Sequence, residues 1–138
     1  MQPGFPSKMI ASLGLIGAVA ACDLTQPTAS VPTGAEDFAT FCVPCHGPGG
    51  VGDGPLAAGL VKAPADLTAI SARSGGSFPQ ARVMSKIWGY AQQNGQVMPG
   101  FAALLEGDTV LFDSGDGIAT PTPLRLVQLG EYLRGLQR

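Results

Sequence analysis

The chain has 138 residues; 8 are Lys or Arg and 10 are Asp or Glu, so the formal charge is −2 with the single His neutral. This length fits one domain and leaves no room for two sizeable cores. The charge balance argues against a nucleic-acid-binding protein, which normally presents a basic face. No apolar run reaches the roughly 20 residues that a membrane-spanning helix needs. The 3 Cys cannot form an even disulfide framework, so each needs its own explanation.

The first residues have the pattern of a bacterial export signal. Lys8 precedes an apolar stretch over 9–21, which suits the core of a signal peptide and is too short to span a bilayer. Small residues lead into Cys22, and this segment resembles a lipoprotein processing box, in which the Cys becomes the lipid-bearing N-terminus. Ordinary secretion with cleavage after Ala20 is the alternative. An otherwise unpaired thiol in an exported protein favours lipidation of Cys22.

We therefore predict three parts: a signal peptide at 1–21, a lipid-anchored tether at 22–33 and a single domain at 34–138. The tether lacks apolar periodicity and contains Pro, Ser and Thr, which favour an extended chain. Fully extended, it would hold the domain up to about 36 Å from the lipid. These features place the protein at the periplasmic side of a bacterial membrane.

The domain is predicted to begin with a helix capped by Thr33. Glu36 lies three residues later and completes a capping box. Phe38, Cys42 and Cys45 then share one face at helical spacing. The Gly-rich stretch that follows is predicted to be a loop.

A second helix is predicted to open at Ser77, with Gln80 completing a similar box, and to stop at Asn94-Gly95, since both residues tolerate positive φ. Residues 107–123 fit either a small hairpin or a plain loop.

The last helix has a clear start, because Thr122 can cap it and Pro123 suits the first helical position. Leucines at helical spacing then line one side of it.

The motif Cys42-Val43-Pro44-Cys45-His46 carries the chemistry, because C-x-x-C-H is typical of c-type haem attachment. Positions 42, 45 and 46 are i, i+3 and i+4 on a helix, so their side chains face the same way. Two thiols can then add to the two vinyl groups of one porphyrin, and the imidazole lies beneath the iron as an axial ligand.

Three other kinds of site could contain this motif, and each fits the sequence less well. A zinc site would need a second pair of thiol or imidazole ligands, and the chain has neither a fourth Cys nor a second His. A thioredoxin-like site would follow a strand rather than a capped helix. A disulfide between Cys42 and Cys45 is sterically poor and explains neither His46 nor export.

The sixth iron ligand has two candidates, the thioethers of Met84 and Met98. Met84 lies on a predicted helix stripe, where Met commonly fills a core. Met98-Pro99 lies in a predicted loop in which the Pro stiffens the backbone, so Met98 is preferred. The alternative is a five-coordinate iron with both Met residues structural.

From these residues, the stretch 34–138 resembles a small monohaem class I cytochrome c. The resemblance implies an all-α fold of about three to five helices around one covalently bound haem. Its specific part is the C-x-x-C-H motif. Gly34 and Phe38 match the family's first helix, and the Leu129–Leu133 stretch matches its last, which crosses the first at a small residue. Met98-Pro99 resembles the family's distal-ligand loop.

The resemblance also implies a role for a backbone carbonyl. Gly54-Pro55-Leu56 is similar to the family's loop beneath the haem, in which the Pro carbonyl accepts the ring N–H of the proximal His. That role is expected here for Pro55, where it would fix the tautomer of His46. The stretch 107–123 is longer than in compact members of the family.

Other features favour ordinary structural roles. Gly47-x-Gly49-x-x-Gly52 matches a dinucleotide fingerprint only by letter, because it follows a helix rather than a strand, so no nucleotide partner is expected. Trp88 and Tyr90 could hydrogen-bond a haem propionate, but packing is the favoured role for both.

With both axial positions filled by His46 and Met98, the haem would suit one-electron transfer rather than substrate binding. We therefore predict an electron carrier, not an enzyme, whose partners are redox proteins on the same membrane. Two alternatives remain: a haem subunit of a larger oxidase or dehydrogenase, and a ligand-binding haem enzyme or sensor with an open distal position.

Overall fold

The computed structural model describes residues 1, 4, 30–90 and 97–138. The expected signal peptide at 1–21, Cys22 and most of the tether lie outside the described residues, as does the predicted helix stop at Asn94-Gly95. Within the described ranges, no helix is both long enough and apolar enough to cross a membrane.

The domain opens with a continuous helical segment whose hydrogen bonding changes twice. It is α-helical over Gly34–Asp37 (α1), π-helical over Phe38–Cys42 and α-helical again over Val43–His46 (α2). The predicted capping box at its start is confirmed: the hydroxyl of Thr33 accepts from the backbone N–H of Glu36 at 3.3 Å, and the Glu36 carboxylate accepts from the N–H of Thr33 at 2.7 Å. The π-turn, a feature often found at functional sites, was not predicted.

The remaining elements are short and are joined by turns. Two 3₁₀ turns lie at Ala57–Gly59 and Leu67–Ala69. The helices and strands that follow are α3 (Ile70–Arg73), α4 (Gln80–Trp88), α5 (Ala102–Leu105), β1 (Thr109–Asp113), β2 (Ala119–Pro123) and α6 (Leu124–Gly135).

The expectation of an all-α class I cytochrome c fold is wrong, because the described residues combine helices with a two-stranded antiparallel sheet. In this hairpin Leu111 lies opposite Pro121. Strand β1 contains β-branched and large apolar residues, which favour a strand, and exposed and half-buried positions alternate along it. The turn is fixed by the Asp113 carboxylate, which accepts the backbone N–H groups of Gly115 and Gly117 at 2.8 and 3.0 Å. Of the two possibilities for 107–123, the hairpin is therefore the one observed.

Two predicted helix starts are displaced. Helix α4 begins at Gln80 rather than Ser77, and Pro79 occupies its cap position without a capping side chain. The helix ends at Trp88, before the predicted stop at Asn94-Gly95, because Gly89 adopts a left-handed conformation, with φ 108°. At the last helix, strand pairing takes Thr122 and Pro123 into β2, so α6 starts one residue later than predicted.

The core lies where α6 packs against α1 and α4. Helix α1 crosses α6 at Gly34, where a Cβ atom would lie 2.1 Å from the carbonyl oxygen of Gln128. Helix α4 approaches α6 at Gly130, where a Cβ would lie 3.2 Å from Cγ of Met84. The buried apolar residues are Phe38, Cys42, Met84, Ile87, Leu105, Leu126, Leu129 and Leu133.

A buried ion pair fastens α6 to α1 and to α5. The side chain of Asp37 is 2% exposed and pairs with Arg125, whose Nε donates to Oδ2 at 3.0 Å. A second, shorter hydrogen bond joins the same two side chains. Arg125 also donates to the carbonyl oxygen of Leu104 at 2.6 Å. One guanidinium on α6 thus donates three hydrogen bonds to two residues, one on α1 and one on α5, and so links the three helices.

Candidate cofactor site

A cavity of about 260 Å³ brings together four of the side chains singled out in the sequence. Cys42, Cys45 and His46 line it from the first helical segment, and Met98 lines it from the loop before α5. Most of the remaining lining is apolar: Phe41, Leu60, Ala63, Pro64, Ala65, Val97, Pro99 and Phe101. Two thiols, one imidazole and one thioether therefore line a shared, largely apolar space.

The two thiols lie at the junction of the π-turn and α2. Cys42 ends the π-turn and is buried, whereas Cys45 is half-buried. Burial raises the pKa of the Cys42 thiol to about 12, and the nearby Asp37 carboxylate and Cys45 add to the effect. Cys42 is consequently a neutral thiol at physiological pH, and a thiolate, the nucleophilic form, is disfavoured there.

The imidazole of His46 is held by a backbone carbonyl. His46 is 8% exposed, and its Nδ1 lies 2.9 Å from the carbonyl oxygen of Ala65. A carbonyl can only accept a hydrogen bond, so Nδ1 must carry the proton in this contact. The neutral ring then keeps its lone pair on Nε2, which is the form that binds a metal.

The carbonyl at His46 is therefore not that of Pro55, the residue that the family resemblance had suggested. The loop after the motif folds back along its outer side, with the N–H of Leu56 donating to Pro44 at 2.9 Å. Pro55 is carried to that side and does not line the cavity. The chain returns only later, where the N–H of Leu67 donates to Gly50 at 2.6 Å, and this brings Ala65 to the imidazole.

Glycine at position 54 makes this return possible. A Cβ there would lie 2.5 Å from the carbonyl carbon of Cys45 and 2.5 Å from the carbonyl oxygen of Val43. Only a residue without a side chain lets the loop pass so close to the motif. The Gly-rich stretch is thus a packing requirement of the thiol-bearing helix, in agreement with its interpretation as a loop.

The two methionines lie in different surroundings. Met84 is 6% exposed and packs against Gly130, and the side-chain amide of Gln80 lies 3.6 Å from its sulfur. It does not line the cavity, whereas Met98 does. Of the two candidate thioether donors, Met98 is the one placed in the same cavity as His46.

Several cavity residues were not anticipated from the sequence. Ala65 acts through its backbone, so its side chain carried no signal. Phe41 lies 6.0 Å from Phe101 between ring centroids; Phe101 belongs to the stretch that resembles the family's distal-ligand loop, whereas Phe41 belongs to no motif. Lys62 and Lys86 also line the cavity, and a single lysine gives no pattern.

The donor set suits one particular kind of metal centre. Within the described ranges, no group of three or more His, Cys, Asp or Glu side chains is arranged to hold a metal ion. The cavity does offer one imidazole and one thioether, two neutral ligands that suit an iron whose other four positions are filled by a porphyrin. Two thiols on the same wall can anchor such a macrocycle covalently. No family model matches the chain, and no curated protein or solved structure does so either.

Proposed function

We propose that the protein is a monohaem c-type cytochrome that carries single electrons at the periplasmic face of a membrane. The observation that carries this proposal is the shared cavity of Cys42, Cys45, His46 and Met98. When bound, a haem supplies a one-electron Fe(III)/Fe(II) couple, which no side chain of this cavity provides by itself.

The thiols of Cys42 and Cys45 are the residues that would hold the haem covalently. Their contribution is mechanical, because two anchors on one short helix fix the cofactor against the wall that also carries His46. The raised pKa of Cys42 disfavours its nucleophilic thiolate form at neutral pH.

His46 and Met98 are the residues that would ligate the iron. The Ala65 carbonyl orients the imidazole and leaves Nε2 as its ligand atom. A thioether ligand would favour Fe(II) and so raise the reduction potential. If both side chains ligate the iron, oxygen or peroxide would find no open site, and the haem would supply electron transfer.

The apolar walls support that chemistry. Phe41 and Phe101 close one side of the cavity against each other. Excluding water lowers the local dielectric and influences the potential of a bound metal. The helical segment that ends at His46 and the helix α5 that follows the Met98 loop both contact Arg125 of α6, through Asp37 and Leu104.

Export and lipid anchoring through Cys22 complete the proposal. A tether confines the domain to a membrane surface and raises its effective concentration near redox proteins on the same membrane. Contacts between electron-transfer partners are commonly small and transient, which suits a domain free to move on such a tether.

The test is to produce the full chain together with a c-type maturation system. We expect one haem per chain that stays attached in acidified acetone, and a low-spin spectrum in both oxidation states. Colourless protein, or pigment extracted by the acid, would overturn the proposal. Rapid stoichiometric CO uptake by the reduced protein would instead favour a ligand-binding haem protein. Recovery from detergent-solubilised membranes as a monomer would argue against a fixed subunit of a larger complex.

A further inference from the structure

Two lysines line the cavity without any bonded partner in the described part of the chain. Lys62 lies on the segment that leads to Ala65, and Lys86 lies on α4. Neither takes part in an ion pair or a side-chain hydrogen bond among the described residues. Four of the five arginines in the same ranges donate through their side chains to protein oxygens: Arg73, Arg82, Arg125 and Arg134.

The lining of the cavity has no acidic counterpart for these cations. Its ionisable residues among those described are Cys42, Cys45, His46, Lys62 and Lys86, and none is Asp or Glu. The Cys42 thiol is neutral, as shown above. An apolar space that carries only positive charge fits a ligand with an apolar body and an anionic edge.

The exposure of the lysines shows where that edge would lie. Lys62 is exposed and Lys86 is half-buried, so their aliphatic stems can cover apolar surface while the ammonium groups stay at the solvent boundary. Tyr90, considered above as a propionate contact, is 80% exposed, and neither it nor Trp88 lines the cavity.

We infer that Lys62 and Lys86 bind the carboxylate groups of the macrocycle and so fix its solvent-facing edge. The inference rests on the proposed function, since it assigns the anionic part of the same ligand. The two lysines would also make the cavity bind a porphyrin with free carboxylates in preference to one whose carboxylates are esterified. The competing occupant of these ammonium groups is an acidic surface on a redox partner.

The test is zero-length cross-linking of the haem-loaded full chain with a water-soluble carbodiimide. The reagent activates a carboxylate, a lysine amine displaces it as a urea, and one amide forms with the net loss of one water. Only an amine already in contact with the carboxylate reacts efficiently. We expect mass spectrometry to find the haem-bearing peptide that contains Cys42 and Cys45 joined to a peptide containing Lys62 or Lys86.

Matched variants make the result specific. Lys62→Arg with Lys86→Arg keeps both charges but removes both amines, so the cross-link should disappear while the haem content stays unchanged. Arg82→Lys places a new amine on α4, one turn from position 86 and outside the cavity lining, and should add no haem cross-link. A cross-link of equal yield at position 82 would overturn the inference.

A second readout separates charge from packing. Replacing both lysines by Gln should lower the reduction potential, because uncompensated carboxylates stabilise Fe(III), and the double Arg variant should restore it. Equal potentials in the Gln and Arg variants would overturn the inference, as would haem-loaded wild-type protein that forms no cross-link to either lysine. The absence of a cross-link would be expected if the two lysines bound an acidic surface of a partner protein instead. Protein that matures without haem overturns the proposed function itself, and the inference falls with it.

Discussion

Replacing Gly34 by Ala tests whether the crossing of α1 and α6 is as close as the structure indicates. The added Cβ would lie 2.1 Å from the carbonyl oxygen of Gln128 and 2.5 Å from its carbonyl carbon. Both atoms belong to the backbone of α6, so no side chain can rotate away. Restoring van der Waals separation requires the helices to move apart by about 1 Å.

The size of the effect follows from two opposed terms. Overpacking in a core costs about 1–3 kcal/mol, and more where the neighbour is rigid. Against it stands the better helix propensity of Ala, at most about 1 kcal/mol and less in the first turn. We expect the free energy of unfolding to fall by about 2 kcal/mol, which corresponds to a Tm lower by roughly 10 °C in a domain of this size.

The measurement is urea unfolding monitored by circular dichroism. The urea midpoints of the variant and the parent chain are compared, provided that both transitions have the same slope m. Gly135→Ala is the control, because Gly135 lies in α6 with nothing within 4 Å of its Cβ position. That variant should be unchanged or slightly more stable. If Gly34→Ala unfolds at the parent midpoint, the two helices are not in backbone contact and the packing described here is incorrect.

Three further predictions concern the site and the core. Met98→Ala should give a high-spin, CO-binding haem, whereas Met84→Ala should keep the low-spin spectrum and lose about 2–5 kcal/mol of stability; identical spectra would refute the ligand assignment. In haem-free protein the raised pKa of Cys42 contributes stability that is fully present below pH 9.0, the ordinary pKa of the thiol, and is lost as pH rises towards about 12. The urea midpoint of the parent chain should therefore fall over this pH range, and it should fall less in Cys42→Ala. Asp37→Asn leaves a guanidinium without its buried counter-charge and should cost about 3 kcal/mol, while Glu131→Gln in the exposed pair should cost less than about 1 kcal/mol.

Local signals in the sequence located four of the side chains that line the cavity, those of Cys42, Cys45, His46 and Met98. The spacing of Cys42, Cys45 and His46 could be recognised directly because a helix places these positions on one face. The preference for Met98 over Met84 followed from the apolar stripe around Met84, which indicated a core position. The capping box at Thr33 was equally readable, since its two hydrogen bonds depend only on neighbouring residues.

Features that depend on distant parts of the chain escaped prediction. The family resemblance implied Pro55 as the source of the carbonyl at His46, whereas the path of this chain depends on the hydrogen bond between Leu67 and Gly50. Every residue has a backbone carbonyl, so the contact between Ala65 and His46 could not be predicted from residue type. The ion pair of Asp37 and Arg125 joins residues 88 apart in sequence, which no periodicity can reveal.

The departure from an all-α fold has a similar origin. Residues 107–123 left hairpin and loop equally open, because two short apolar stretches around a turn do not show whether they pair. In the structure the pairing also draws Thr122 and Pro123 out of the last helix. A tertiary interaction thus decided both the fold class and a helix boundary.

The β2 edge of the hairpin is poorly suited to pairing with a further strand. The backbone N–H of Leu124 donates to the carbonyl of Asp108 at 2.7 Å, and with the register of the pair this bond determines which backbone groups point towards the partner strand and which point away. Pro121 and Pro123 fall at positions of β2 whose backbone points away from β1, where neither has an N–H to offer. The two prolines therefore oppose edge-to-edge pairing of β2 with another chain.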